Sequence, residues 1–182
     1  MKIEDYSRLA IRTAKPLELH KQHMHFVLGI NSEAGELADC VKAHVIYGKP
    51  LDLVNIKEEC GDMLWFLNYM ADMVGNPFQN FAEFAFNRMP AMPPATPRTD
   101  PTWYIELSSY SISLSQHASD LVTAFYDYVT ASEAEQQLAS IHLEAAVGDM
   151  LLGIRGLLNT CGMTLSEAMQ ANIDKLAVRY AD

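Results

Sequence analysis

Two pairs of acids, Glu33 with Glu36 and Glu59 with Asp62, are each spaced three residues apart. Residues three apart on an α-helix project from nearly the same face, so each pair offers carboxylate oxygens in one direction. Two such helices packed antiparallel would bring four carboxylates together. That group repels itself unless a cation sits within it, and oxygen-only ligands suit the hard ions Mg²⁺ and Mn²⁺ better than zinc. Ions of that kind commonly serve phosphate chemistry. Glu-x-x-Glu also occurs on plain solvated faces, because Glu is a good helix former. Context favours the metal reading, since each pair encloses a glycine, Gly35 and Gly61, in an otherwise helical run. Glycine costs a helix interior roughly 1 kcal/mol relative to alanine, so its presence predicts close helix packing or close approach of a ligand.

The elements that must position these acids are helices throughout, because three- and four-residue apolar spacing dominates and long alternating β-branched runs are missing. The pattern predicts an all-α protein with helices over about Ile3 to Thr13, Leu19 to Ile46, Leu53 to Val74, Phe78 to Arg88, Thr102 to Val129, Ala134 to Cys161 and Leu165 to Tyr180. Tyr47-Gly48-Lys49-Pro50 and Gly75-Asn76-Pro77 supply stop signals. Residues 90–101 are rich in proline and predict an extended linker between a first unit, 1–89, and a second, 102–182.

The 182-residue chain is 49% hydrophobic, enough to bury a core as one domain or as two small halves sharing one. Its formal charge of -10 excludes a broadly basic surface for nucleic acid or anionic membranes, and predicts that an anionic substrate would need a metal ion to bind. No apolar run reaches the roughly 20 residues of a membrane helix, and the start does not lead into a secretory signal, so a cytoplasmic location is expected. Cys40, Cys60 and Cys161 lack zinc-type spacing and read as unpaired core thiols. His20, His23 and His25 have no acid or cysteine at a matching helical position and read as a polar helix entrance.

The second half reads as a degenerate copy of the first. Gly61-Asp62-Met63-Leu64 is echoed by Gly148-Asp149-Met150-Leu151, and Val74-Gly75 by Cys161-Gly162 at the same offset. Laying Ile30 to Leu37 over Leu114 to Leu121 places His117 on Glu33 and Asp120 on Glu36, while Ala146 falls on Glu59. Only Asp62 keeps an identical counterpart, Asp149. Two folds but one competent acidic site are therefore expected.

The run from Tyr6 to Ala71 resembles the MazG-like all-α nucleoside triphosphate pyrophosphohydrolases, whose signature is Glu-x-x-Glu followed by Glu-x-x-Asp. The resemblance takes in Leu28 to Leu37, Lys42, the Tyr47-Gly48-Lys49-Pro50-Leu51 turn and Glu58 to Trp65. An Asn-x-x-Lys-Leu-x-x-Arg-Tyr string at Asn172 to Tyr180 is similar to the family's closing element, one residue shorter between Leu and Arg than its Asn-x-x-Lys-Leu-x-x-x-Arg-Tyr form, whereas the first half's closing helix carries only Asn87-Arg88. Acids and closing motif are thus divided between copies. The resemblance implies a helical bundle built by dimerisation, which two tandem MazG-like repeats could imitate as a pseudo-dimer, although two chains could still pair as a homodimer.

It also implies hydrolysis of a nucleoside triphosphate to the monophosphate and pyrophosphate, with Glu33, Glu36, Glu59 and Asp62 holding Mg²⁺, or Mn²⁺ in its place. Asn172 and Lys175 would then reach across to the triphosphate, although a lysine near a helix C-terminus is also favoured by the helix dipole alone. Glu58 could orient the attacking water or face solvent. Lys42, six positions beyond Glu36, could meet phosphate oxygens or be an ordinary surface lysine. Asn31 and Trp65 flank the acids where a base could sit, while core packing is the simpler account of Trp65. Pyrimidine deoxynucleotides and noncanonical nucleotides are the substrates such relatives suggest. A phosphoribosyl-ATP pyrophosphohydrolase and a catalytically inert nucleotide- or partner-binding protein are the alternatives.

Overall fold

The computed structural model describes residues 1–87, 98 and 100–180. Its described residues form seven helices and no strand: α1 (Ile3–Ile11), α2 (Leu19–Val45), α3 (Leu53–Met73), α4 (Phe78–Phe86), α5 (Pro101–Thr130), α6 (Gln136–Thr160) and α7 (Leu165–Arg179). The all-α reading holds, and helix limits fall within a few residues of those expected. Most of the expected linker, together with Arg88, lies outside the described residues.

Pro101 is a correction, because it opens α5 rather than ending a linker. Proline is tolerated at the first helical position, where its missing N–H would have had no intrahelical partner. The Asp100 side chain caps the same end by accepting from the Trp103 backbone N–H at 3.1 Å. At the far ends of α3 and α6, Gly75 and Gly162 adopt φ of 67° and 74°. That left-handed turn lets Asn76 N–H reach the Ala71 carbonyl at 3.1 Å and Met163 N–H the Leu158 carbonyl at 2.8 Å, satisfying carbonyls the helix leaves open.

Four long helices make the body. α2 packs along α3, α5 along α6, and the pairs meet through α2 against α5 and α3 against α6. The buried stripe of α2, Ile30, Ala34, Leu37 and Val41, has the spacing of Leu114, Ala118, Leu121 and Phe125 on α5. α3 and α6 are buried nearly all round, which is why their apolar residues form runs rather than a single stripe. The short helices cross over: α4 lies on α6, and α7 lies on α3. α1 fills the remaining angle against α3, α4 and α7, held by paired bonds in which Ser7 Oγ donates to Asn68 Oδ1 at 2.6 Å and Asn68 Nδ2 to the Ser7 carbonyl at 3.2 Å.

Gly61 explains how closely α7 sits. A Cβ there would lie 2.9 Å from Asn172 Cβ and 3.2 Å from the Ala168 carbonyl oxygen. Gly35 differs, since a Cβ on it would meet nothing within 4 Å. Of the two roles expected of these glycines, close helix packing or close approach of a ligand, the packing role is seen at Gly61 and not at Gly35. Gly35 lies on the exposed side of α2, where no neighbouring helix approaches.

Candidate metal centre

Glu33 on α2 and Glu59 and Asp62 on α3 each present a carboxylate oxygen within 4.8 Å of the others. Among the described residues this is the one group of three or more metal-ligating side chains so close together. Glu59 is 6% exposed, and Glu33 and Asp62 are half-buried. The sequence-expected fourth acid, Glu36, is exposed and stands outside that group. Three residues turn a helix through about 300°, so Glu36 is rotated roughly 60° away from Glu33. Its charge still acts there, adding to the upward pressure on the titration of both Glu33 and Glu59.

The electrostatics are those of crowded acids with an ammonium, that of Lys175 on Asp62, beside them. Glu59 is pushed up to about 8, first by burial, then by its hydrogen bond with Glu33 and by the negative charge of Glu33, Glu36 and Asp62. Glu33 is raised as well, mainly by burial, with the bond to Glu59 opposing. A hard divalent cation fits this set, because it would neutralise the repulsion at all three oxygens.

The second half of the chain delivers polar groups to the same place. From α7, Asn172 Nδ2 donates to Asp62 Oδ1 at 2.7 Å, and Lys175 Nζ donates to Asp62 Oδ2 at 2.5 Å. Asn172 is 1% exposed, and its own Oδ1 accepts from the Tyr6 hydroxyl at 3.0 Å. Tyr6 is fully buried and also lies 3.3 Å from the Gly61 carbonyl; burial and the Asp62 charge hold its hydroxyl well above the ordinary tyrosine range, so it stays a donor. That donor fixes which way the Asn172 amide points, leaving its NH₂ for Asp62. Sequence reasoning missed Tyr6, because a tyrosine on an apolar helix face carries no signal distinguishing a core ring from one whose hydroxyl is used.

The other expected residues are placed differently. Glu58 is half-buried, and its charge reaches Lys175. Lys42 is exposed and pairs with Asp39, three residues earlier on α2, which raises its titration; its partner is not an acid of the cluster. Asn31 is exposed and donates to the Val27 carbonyl at 2.9 Å. Trp65 uses its indole N–H on the end of α1, at 3.0 Å from Thr13 Oγ1 and 3.2 Å from the Ala10 carbonyl, and stacks on Tyr69 with ring centroids 5.1 Å apart. The packing role is thus visible for Trp65. His23 lies edge-on to Phe125, and all three cysteines are free thiols, with Cys60 and Cys161 buried.

His117 and Asp149, which the overlay places on Glu33 and Asp62, line a cavity of about 220 Å³ between α5 and α6 together with Tyr110 and Arg155. Ala146 offers no ligand there, so the second half holds a cleft where the first holds acids. No helix is long and apolar enough to cross a membrane among the described residues. No protein-family model, no curated protein and no solved structure matches the chain.

Proposed function

We propose that this chain is a divalent-metal-dependent nucleoside triphosphate pyrophosphohydrolase of the MazG-like kind, with Mg²⁺ as its ion and Mn²⁺ as substitute. The observation that carries the reading is the meeting of Lys175 and Asn172 with the Glu33, Glu59 and Asp62 cluster, across 113 residues in the case of Lys175 and Asp62. Acids alone would serve many ends. Acids with an adjoining ammonium and amide suit a polyphosphate, because they offer both a cation site and direct donors for phosphate oxygens.

In this reading Glu33, Glu59 and Asp62 hold the ion, and Glu36 assists through its charge. The ion would supply charge neutralisation on the polyphosphate and activation of the attacking water. Asn172, kept in place by Tyr6, orients Asp62, and Lys175 offers its ammonium to phosphate oxygens. Glu58, beside the ligand Glu59, orients the water. The reciprocal packing, α4 on α6 and α7 on α3, supports a tandem duplication in which the two halves complete one bundle as a pseudo-dimer. The matching buried stripes of α2 and α5 support the same history.

The test is release of pyrophosphate and monophosphate from a panel of ribo- and deoxynucleoside triphosphates with Mg²⁺, Mn²⁺ or EDTA. Metal-dependent release of both products is expected, and the panel identifies the base. Nucleotide binding without turnover across the panel would favour the inert binding protein instead.

Cation uptake carries a pH signature. With Glu59 titrating at about 8, its carboxyl is mostly protonated at pH 7, and ligation requires the carboxylate. Binding of Mn²⁺ at pH 7 is therefore expected to release about one proton per site. Calorimetry in two buffers of different ionisation enthalpy measures this directly. Affinity should rise with pH and level off above about 8; proton-neutral binding would place the ion elsewhere.

A further inference from the structure

Asp62 has no idle oxygen: Oδ1 accepts from Asn172 and Oδ2 from Lys175. The two donors differ in freedom. Asn172 is buried and fixed from behind by Tyr6, whereas the Lys175 side chain is 32% exposed on a flexible four-carbon stem. A cation ligated by Oδ2 would therefore compete with the ammonium and not with the amide. The displaced ammonium would remain beside the site, within reach of the Glu58 charge, and the phosphate oxygens of a bound triphosphate would add stronger acceptors to take it up.

We propose that Lys175 holds the place of a cation at Asp62 in the metal-free protein, and that this makes metal and triphosphate binding depend on each other. The inference rests on the proposed pyrophosphohydrolase reading and adds to it a control over loading. Free metal binds weakly because it must displace the lysine. Metal accompanied by a triphosphate binds well, because the phosphates accept the lysine that the metal releases. By linkage each ligand strengthens the other to the same degree.

The experiment uses the full chain with Lys175→Met and Lys175→Arg. Mn²⁺ alone is titrated by electron paramagnetic resonance, and 2′-deoxyuridine α,β-imidotriphosphate is then titrated by calorimetry at saturating Mn²⁺. Lys175→Met is expected to bind free Mn²⁺ about five- to tenfold more tightly and the nucleotide analogue about tenfold more weakly, within the usual range of such couplings. Lys175→Arg, which keeps the charge and checks the fold, should bind free Mn²⁺ no more tightly than the parent. Free Mn²⁺ affinity that is unchanged or lower in Lys175→Met would overturn the inference, as would an Arg variant behaving like Met. If the parent turns nucleotide over while Mn²⁺ affinity ignores Lys175, only the lysine's role is lost. If neither parent nor Lys175→Met takes up Mn²⁺, the metal-dependent function falls with it.

Discussion

On the proposed pyrophosphohydrolase reading, Glu59→Gln is expected to lower metal-dependent pyrophosphate release by at least about a hundredfold, while the metal-free variant stays folded and loses much of its pH sensitivity. The activity loss follows from removing a ligand charge at the most buried position of the cluster. Metal ions supply several kcal/mol of transition-state stabilisation, and each 1.4 kcal/mol is about tenfold in rate. The stability effect follows from the raised titration of Glu59. It titrates at about 8 in the folded chain against 4.5 for an unperturbed glutamate, so the folded state binds more protons between those limits. Stability of the metal-free parent therefore falls as pH rises through that window, the reverse of the usual paired carboxylate. Gln cannot ionise, so the variant should show a shallower slope, the remainder coming from Glu33. Thermal melts in EDTA from pH 5 to 9, alongside the product assay, read both effects. A variant within threefold of parental turnover would remove Glu59 from the reacting centre.

Gly61→Ala is the second large effect, and Gly148→Ala is its internal control. The new Cβ at Gly61 runs into the α7 backbone at the Ala168 carbonyl and into Asn172, neither of which can swing aside. Overpacking of this kind costs about 1–3 kcal/mol, against a gain of up to about 1 kcal/mol in helix propensity. α7 must shift, and with it Asn172 and Lys175 relative to Asp62. Turnover should drop about tenfold or more, since small misplacements of positioning groups are costly. At Gly148 the nearest atoms, on Phe84, lie 3.7 Å away, an ordinary contact. Gly148→Ala should be neutral or slightly stabilising, with unchanged activity. Urea melts separate the two, and equal stability for both would show that α7 is not seated through Gly61.

Helices were legible in this sequence because their periodicity is strong and their ends carry chemistry that acts locally, such as Gly75 and Gly162. The acidic triad was legible for the same reason, since spacing on one helix fixes direction. Convergence between helices was harder. Glu36 carries the spacing of a ligand yet turns outward, because a 60° offset decides which of two acids meets α3. Lys42, six positions on and so about 120° round the helix from Glu36, is taken up by Asp39 instead. Tyr6 depends on three helices meeting at one hydroxyl, which no single-helix pattern encodes. Asn172 and Lys175 were reached through a family resemblance and not through spacing, since nothing local at the C-terminal helix points to Asp62.

The crossing of α7 onto α3 also sets a timetable. Asp62 is synthesised 113 residues before Lys175, which at cellular elongation rates is an interval of roughly 5 to 25 seconds. Throughout it the nascent chain carries the acids of α2 and α3 without the amide and ammonium that steady them. Asn172 and Lys175 reach Asp62 only once α7 has been translated and has crossed onto α3, so the full polar surround of the acids assembles well after the acids themselves.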